Sequence, residues 1–241
     1  MIPAVEVSAV AKGFTLHNQS GIKINVLDNA NLTVMPGECV ALGGASGSGK
    51  STLLRLLAGN YLANEGSVRI AGTELVGAHP RTITALRRDT VGYVSQFLRV
   101  VPRVPAREVV AEPLLAAGTA RADAEAAAEA LLARLNLPRA LWDLSPTTFS
   151  GGEQQRVNVA RGFINDYHVL LLDEPTASLD AVNRAVVLSM IEDAKARGAG
   201  IVGIFHDADA RSRVCDRVAD VSAFTPAGRP ALEIEEQLWP A

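Results

Sequence analysis

Gly44-Ala45-Ser46-Gly47-Ser48-Gly49-Lys50-Ser51-Thr52 is the stretch that decides the fold of this chain. It fits the pattern G-x-x-x-x-G-K-[ST], a phosphate-binding loop. The glycines allow backbone N–H groups to turn inward and approach phosphate oxygens. Lys50 adds a charge near the β- and γ-phosphates, and the Ser51 hydroxyl is a Mg²⁺ ligand. All nine residues are therefore candidate nucleotide-binding residues.

The flanking residues supply the structural context that this motif needs. An apolar run at residues 39–42 predicts a buried strand before the loop, and residues 53–58 predict a helix after it. That helix directs its positive N-terminus at the bound phosphate. This context favours the phosphate-binding interpretation over a chance glycine-rich turn.

Composition limits the classes of protein to which the chain can belong. The 241 residues are 48% hydrophobic and 20% charged, which is typical of one domain or two closely joined lobes. The net charge is −3 and no long basic run occurs, so we expect no nucleic-acid partner.

Targeting signals and cysteines indicate the compartment. Residues 1–7 do not resemble a signal peptide, and no apolar stretch approaches the ~20 residues that cross a bilayer. The two cysteines, Cys39 and Cys215, fit no metal-ligand pattern and are interpreted as reduced and buried. We expect a cytoplasmic protein; if it works at a membrane, another chain would supply the membrane part.

Apolar strands alternate with helices along the chain. Strands are predicted near residues 5–10, 24–34, 39–43, 67–71, 91–95, 169–172 and 201–205, and helices near 53–58, 82–89 and 183–195. This alternation predicts a mostly parallel α/β sheet. Residues 5–10 alternate loosely and are expected to form an edge strand.

The middle of the chain has a different character. Residues 105–135 are rich in Ala, Leu, Glu and Arg, which are strong helix formers. The spacing of Leu131, Leu132 and Leu135 favours a packed helix over low-complexity sequence. We interpret this region as a helical lobe inserted after Gln96.

Polar residues that can act on a phosphate follow several predicted strands. Asp173 can hold the Mg²⁺ shell, and Glu174 can polarise a water for attack on the γ-phosphate. Gln96 can orient that water or bind Mg²⁺, and His206 can bond the γ-phosphate and help to place Glu174. Ligands bind at the carboxyl ends of strands in such sheets. Each residue also has a plain structural alternative, such as capping a strand.

Ser150-Gly151-Gly152-Glu153-Gln154 is the most diagnostic stretch after the phosphate loop. Two glycines at a predicted helix start offer unhindered N–H groups to an anion. Within one molecule a second such site has no obvious phosphate, but across a two-fold dimer it can face the ATP of the partner. The alternative is a simple glycine-containing helix cap.

Phe14, just before a polar loop at residues 16–23, is open to two interpretations. It is either a core aromatic residue or a ring on which adenine stacks.

These motifs together resemble the ATP-binding-cassette (ABC) ATPases, and the resemblance covers almost the whole chain. It rests on Gly44–Thr52, Gln96, Ser150–Gln154, 170–174, 178–180 and His206, in the family order. The resemblance implies the P-loop NTPase fold of ABC ATPases, with a mostly parallel sheet, an antiparallel β edge and an inserted helical subdomain. It implies one domain over residues 1–241, with an α/β core at about 1–96 and 165–241 and the helical subdomain at about 97–164.

The resemblance also implies the site chemistry. Members hydrolyse Mg-ATP as head-to-tail dimers, in which two ATPs lie between the phosphate loop of one cassette and the signature loop of the other. By this likeness Phe14 takes the adenine-stacking place and Asp180 lies on the loop that links the two sites. The partner cassette is expected to be a second copy or a related ABC ATPase.

A narrower resemblance is to the L subunits of the phosphonate carbon–phosphorus lyase system, and it implies a link to ribose 1-methylphosphonate 5-triphosphate synthesis. It rests on residues 95–103, 149–164 and 201–207. Residues 97–103, in which Arg99 and Arg103 interrupt apolar residues, are expected to form a docking surface. By this likeness the expected partners are soluble lyase subunits. The alternatives are that residues 97–103 only pack the helical lobe, or that the chain serves a membrane permease, for example in lipoprotein export. Chromosome and DNA-repair ATPases need a long coiled-coil insertion that this chain lacks.

Overall fold

The computed structural model of the chain describes residues 2–16 and 22–226. Within these residues the strands are β1 (Val5–Leu16), β2 (Ile22–Val34), β3 (Cys39–Gly43), β4 (Glu65–Ile70), β5 (Thr73–Glu74), β6 (Val91–Val94), β7 (Val169–Asp173), β8 (Gly200–Ile204) and β9 (Arg217–Asp220). The α-helices are α1 (Lys50–Leu57), α2 (Pro80–Asp89), α3 (Ala106–Ala116), α4 (Arg121–Arg134), α5 (Gly151–Phe163), α6 (Ala181–Ala196) and α7 (Ala208–Val214). In this part of the chain no helix is long and apolar enough to cross a bilayer.

A five-stranded parallel sheet forms the centre of the molecule, with strand order β6-β7-β8-β3-β9. The register pairs Asp173 with Ile204, and Ala41 with Gly203. Because the strands are parallel, their carboxyl ends lie at one edge of the sheet. The phosphate loop and the residues that follow β6, β7 and β8 therefore meet at this edge, and the predicted α/β fold is confirmed.

A second, antiparallel sheet has the order β2-β1-β4-β5. The prediction of an edge strand at residues 5–10 is wrong, because β1 lies between β2 and β4 and pairs with both. Its register shifts near Ala9, which has a φ of 50°. These bulges interrupt the two-residue alternation and account for the loose pattern in the sequence.

Strand β3 shows how one sheet buries both of its faces. Cys39 and Ala41 face a core formed with helices α3 to α7, whereas Val40 and Leu42 face a core shared with α1 and the antiparallel sheet. Successive side chains of a strand point to opposite faces, so a strand covered on both sides is apolar throughout.

The helix-rich middle region contains α3, α4 and α5. A turn at Gly118, where φ is +93°, separates α3 from α4. Ser150 is the N-cap of α5. Its hydroxyl accepts from the Glu153 N–H, while the Glu153 carboxylate accepts from the Ser150 N–H. The helical content of residues 105–135 is confirmed, and the subdomain boundaries at 97 and 164 stay a prediction.

The tight approach of β6 to α5 gives a first testable prediction. A Cβ added to Gly92 would lie 2.4 Å from Tyr167 Cδ2 and 2.5 Å from the Gly162 carbonyl oxygen. We expect Gly92→Ala to cost about 1–3 kcal/mol of unfolding free energy through overpacking. Urea unfolding measures this cost. In Gly151→Ala the nearest atom to the added Cβ is 3.9 Å away, so this control should unfold like the wild type.

Candidate active site

The phosphate loop has a backbone that glycine makes possible. Gly44, Gly47 and Gly49 have φ values of +122°, +77° and +102°, in the left-handed region that other residues avoid. A Cβ on Gly44 would also lie 2.7 Å from Ser48 Oγ and 2.6 Å from Ser222 Oγ. Any side chain at Gly44 would therefore distort the loop.

Lys50 holds its ammonium group against the same loop. Its Nζ donates to the carbonyl oxygens of Gly44 and Ala45, both at 2.8 Å. Lys50 is the first residue of α1, so its charge adds to the positive end of the helix. The loop thus concentrates N–H donors and one cation at a single point, which suits a polyphosphate.

The carboxyl end of β7 presents an acid and a histidine side by side. Strand β7 is entirely buried, and Glu174 directly after it has a φ of +52°. Glu174 Oε1 lies 2.8 Å from His206 Nε2, and the two side chains are 25% and 71% exposed, respectively. The Glu174 N–H donates to the Ile204 carbonyl oxygen at 3.1 Å, which fixes this acid relative to β8.

Asp173 lies deeper than Glu174 and is 2% exposed. Burial and the nearby Asp173 carboxylate raise the pKa of Tyr93 to about 12, so that phenol stays protonated at physiological pH. The guanidinium of Arg55 opposes this shift and lowers the pKa of Tyr93. Asp173 thus lines a polar pocket together with Tyr93 and Arg55, and its place in the Mg²⁺ shell stays a prediction.

The signature stretch is tied to the segment that follows Glu174. Gln155 Nε2 donates to the carbonyl oxygens of Glu174 and Pro175, at 3.2 and 3.1 Å. A Cβ on Gly152 would lie 2.8 Å from the Ser178 carbonyl oxygen. Gly151 is exposed, so the N-terminus of α5 is open toward solvent. Asp180, the other predicted residue here, caps α6 through the Asn183 N–H at 2.8 Å.

The Gln96 loop is bound to the helical region. Asn158 Nδ2 on α5 donates to the Ser95 carbonyl oxygen at 2.5 Å. Gln96 is half-buried, and Phe97 and Val101 beyond it are 60% and 70% exposed. Of the predicted docking residues, Leu98 and Val100 pack against the core instead. Packing in the helical lobe is thus confirmed for Leu98 and Val100, and docking of a partner on Phe97 and Val101 stays a prediction.

Phe14 is half-buried on β1 and packs edge-on against Tyr61, with ring centroids 5.2 Å apart. Lys12 Nζ lies 4.8 Å from the centre of the Phe14 ring. The ring therefore has a structural role in this aromatic cluster, and its stacking with adenine stays a prediction.

The structure brings most of the predicted residues to one edge of the parallel sheet. The phosphate loop, Gln96, Glu174 and His206 follow carboxyl ends of its strands, and Asp173 is the last residue of β7. Residues 150–154 form a second group, at the start of α5. The side chains of Glu153 and Gln154 are engaged locally, with Ser150 and with the Phe149 carbonyl oxygen.

Sequence reasoning missed several residues that support the site. Gln155 and Asn158 are buried polar residues of α5. The hydrogen bonds of Gln155 hold the signature stretch to the Glu174 segment, and the hydrogen bond of Asn158 holds the Gln96 loop. Thr225 Oγ1 donates to the Ser48 carbonyl oxygen at 3.0 Å and so supports the phosphate loop from the C-terminal side. The motifs assign no role to residues 226–241, and residues 227–241 lie outside the described residues.

The residues present fit a magnesium ion bound with a nucleotide. Among the described residues no three His, Cys, Asp or Glu side chains cluster as metal ligands. Mg²⁺ typically takes one or two carboxylates together with phosphate oxygens, so a dedicated cage is not needed. The oxygen donors of Ser51, Gln96 and Asp173 match that chemistry.

Comparison with known protein families decides the classification. Residues 27–177 match the family model described as "ABC transporter". The chain belongs to the ABC transporter family. It is an ATPase of that family, and this cassette therefore binds and hydrolyses ATP.

Three curated relatives show which members the cassette is similar to. The lipoprotein-releasing system ATP-binding protein LolD of Novosphingobium aromaticivorans is 46% identical over 77% of this chain and 81% of its own length. The pyoverdine export ATP-binding/permease protein PvdT of Pseudomonas entomophila is 37% identical over 98% of this chain. The macrolide export ATP-binding/permease protein MacB 1 of Aeromonas hydrophila is 40% identical over 85%. The cassette spans only 36% and 31% of the last two proteins.

Solved structures give the same fold. A dimeric post-hydrolysis state of the ATP-binding cassette MJ0796, bound to ADP and Pi, matches with a TM-score of 0.83 and 27% identity, over 90% of this chain and 95% of that one. A second dimeric structure of MJ0796, a bacterial ABC transporter cassette, matches with the same TM-score and identity. None of the relatives named here is a carbon–phosphorus lyase subunit.

Lys50 gives the second prediction. We expect Lys50→Ala to weaken ATP binding by about tenfold or more, because a charge-assisted phosphate contact is lost. Titration with a fluorescent ATP analogue measures the affinity. Arg88→Ala is a control, because Arg88 is an exposed cation paired with Asp89 on α2, outside the phosphate loop. Equal affinities for both variants would contradict the assigned role of Lys50.

Proposed function

We propose that this cassette is the ATP-hydrolysing part of a membrane exporter of the kind represented by its LolD, PvdT and MacB relatives. The observation that carries the chemistry is the 2.8 Å contact between Glu174 Oε1 and His206 Nε2 at the sheet edge that bears the phosphate loop. The names of the relatives support export over phosphonate metabolism.

In the proposed mechanism the phosphate loop and Lys50 bind the ATP phosphates. Glu174 accepts a hydrogen bond from the attacking water and acts as general base. His206 Nε2–H donates to the Glu174 carboxylate through the 2.8 Å contact and so holds it in place. In the ATP-bound cassette the same N–H would turn to donate to the γ-phosphate. Ser51, Gln96 and Asp173 would hold Mg²⁺, which neutralises charge on the phosphate oxygens.

The signature residues Ser150–Gln154 act on the ATP of a second cassette in this proposal. Gly151 is exposed at the N-terminus of α5, where N–H groups and the helix dipole favour an anion. The bonds from Gln155 to the Glu174 segment tie this surface to the catalytic acid of its own chain. The two solved MJ0796 relatives are dimers, which supports a head-to-tail pair.

The surface proposed to receive the permease is a groove of about 690 Å³ between the α/β core and the helical region. Gln96 and Phe97 line it, so a docked segment would contact the loop that also faces ATP. Five arginines line the same groove: Arg55, Arg87, Arg88, Arg99 and Arg161. An exposed aromatic ring among arginines is typical of interface anchors.

Affinity purification tests this proposal and is the third prediction. The tagged chain is purified from detergent-solubilised native cells, and its partners are identified by mass spectrometry. We expect a membrane permease, and we expect Phe97→Ser with Arg99→Glu to lose it while retaining ATP binding. Leu144→Ser is the matched control, because Leu144 is also an exposed apolar residue, at 50%, but does not line the groove.

The phosphonate interpretation is the second candidate, and its support is the likeness of residues 95–103, 149–164 and 201–207 to lyase L subunits. Soluble lyase subunits recovered in the same purification, from cells grown on a phosphonate, would overturn the exporter proposal and support this one. Both candidates share the same ATP chemistry.

A further inference from the structure

The two cysteines of the chain are neighbours in the fold, although 175 residues separate them in the sequence. The Cys39 thiol donates to Cys215 Sγ, with the two sulfurs 3.6 Å apart. Cys39 is fully buried at the start of β3, and Cys215 is partly exposed at the end of α7. The pair lies at the amino end of β3, away from Gly43 and the phosphate loop at the carboxyl end, so the ATP chemistry does not use it.

The backbone around the pair is held in place. The Cys39 N–H donates to Asp216 Oδ2 at 2.8 Å, and the Asp216 N–H donates to the Cys39 carbonyl oxygen at 2.8 Å. Lys195 Nζ binds Asp216 Oδ1 at 2.6 Å. A disulfide has an S–S distance of about 2.05 Å, so the two sulfurs would have to approach by about 1.5 Å to form one.

The environment makes the two thiols chemically unequal. The hydrogen bond from Cys39 lowers the pKa of Cys215, and the Lys195 ammonium lowers it further against the opposing effects of burial and Asp216. Donation of that bond, together with burial, raises the pKa of Cys39. Arg211, on α7, is a further cation that favours the Cys215 thiolate. A partly exposed thiol with a lowered pKa beside a second thiol is the arrangement found at reversible oxidation sites.

We propose that Cys39 and Cys215 form an oxidation site that closes to a disulfide when a hydroperoxide reaches Cys215. The Cys215 thiolate attacks one peroxide oxygen, the O–O bond breaks, and hydroxide leaves to give a sulfenic acid. Cys39 then attacks the Cys215 sulfur, loses its proton and releases water as the S–S bond forms. With hydrogen peroxide, two thiols lose two electrons in total and the peroxide becomes two waters. Two molecules of a small thiol reduce the Cys39–Cys215 disulfide back to two thiols and are themselves oxidised to a disulfide.

The crosslink would join β3 to the segment before β9 and close most of the chain into one loop. Such a loop restricts the unfolded chain, so oxidation should raise the thermal midpoint, on the order of 5–10 °C. Because the bond is remote from the phosphate loop, ATP affinity should stay the same. This inference does not depend on the exporter proposal.

The test exposes the full-length chain to hydrogen peroxide, blocks remaining thiols with a maleimide under denaturing conditions, and measures the intact mass. We expect the oxidised protein to be a monomer that has lost two hydrogens and carries no maleimide. If the oxidised protein is reduced with dithiothreitol before the maleimide is added, it should carry two maleimides. The cysteine count of two excludes any other intramolecular disulfide. Melting curves of oxidised and reduced protein give the expected rise in midpoint.

Two variants assign the roles. In Cys39→Ala, dimedone should trap a sulfenic acid on Cys215, and peroxide should leave the melting midpoint unchanged. In Cys215→Ala, peroxide should leave Cys39 free to react with maleimide after denaturation. The proposal is overturned if wild-type protein keeps two maleimide-reactive thiols at a peroxide dose that oxidises Cys39→Ala, or if disulfides form only between chains. A lower melting midpoint on oxidation would also contradict it. The wild-type mass measurement stands even if a variant fails to fold.

Discussion

Replacing Glu174 with Gln is expected to slow ATP turnover by about 10²–10⁴-fold and to leave ATP affinity unchanged. The amide keeps the shape of the side chain but cannot accept the proton of the attacking water. His206 Nε2 can still bond the amide oxygen, so the 2.8 Å contact can be kept. Phosphate release measures turnover, and equilibrium titration with an ATP analogue measures affinity.

The control for this prediction is Glu192→Gln, which removes a carboxylate from an ion pair with Arg213 on the surface of α6. It should retain wild-type turnover. If Glu174→Gln hydrolyses ATP at the wild-type rate, Glu174 is not the base, and the proposed mechanism is wrong.

Gly151→Asp is expected to abolish cooperative ATP hydrolysis while each cassette still binds ATP. In the proposed dimer, a carboxylate at the exposed start of α5 would meet the γ-phosphate bound by the partner cassette. Like charges at such short range repel strongly. The phosphate loop of the same chain is a separate group of residues, so its affinity for ATP should be retained. We would compare turnover and ATP affinity in the same preparation.

Gly151→Ala separates charge from bulk at this position. The nearest atoms to a Cβ at Gly151 are 3.9 and 4.0 Å away, both in Ser178, so the methyl group fits. We expect this variant to keep much more activity than Gly151→Asp. If Gly151→Asp instead loses ATP binding as a monomer, the signature residues serve the ATP of their own chain, which the sandwich arrangement excludes.

The parts of the fold that sequence predicted correctly depend on local patterns. The run from Cys39 to Leu57 contains a strand, a loop of glycines with positive φ and a helix, each of which its own residues specify. The helix start at Ser150 follows from its capping box. The order of strands at one sheet edge follows from the parallel α/β pattern, which is why the residues after β6, β7 and β8 were predicted as neighbours.

The parts that sequence missed depend on contacts between distant residues. Strand β9 pairs with β3 across more than 170 positions, and no local pattern specifies that pairing. The contact between Cys39 and Cys215 and the hydrogen bond from Thr225 to Ser48 were not predicted for the same reason, because the partners are far apart in the sequence. The position of β1 in the middle of its sheet is also set by its partners. The resemblance to lyase subunits rested on short segments, whereas the named relatives, compared over most of the chain, favour the exporter.

The most direct test of the central claim is the mass of Glu174→Gln in solution, measured by light scattering with and without Mg-ATP. The claim is that each ATP-binding site is formed by two cassettes. The phosphate loop of one cassette binds the ATP, and the signature residues of the other contact its γ-phosphate. We predict the 25.4 kDa chain mass without nucleotide and twice that mass with Mg-ATP, and no doubling when Gly151→Asp is added to the same chain. If Glu174→Gln stays a monomer at saturating Mg-ATP, or doubles its mass equally with and without Gly151→Asp, the sandwich of two copies is contradicted.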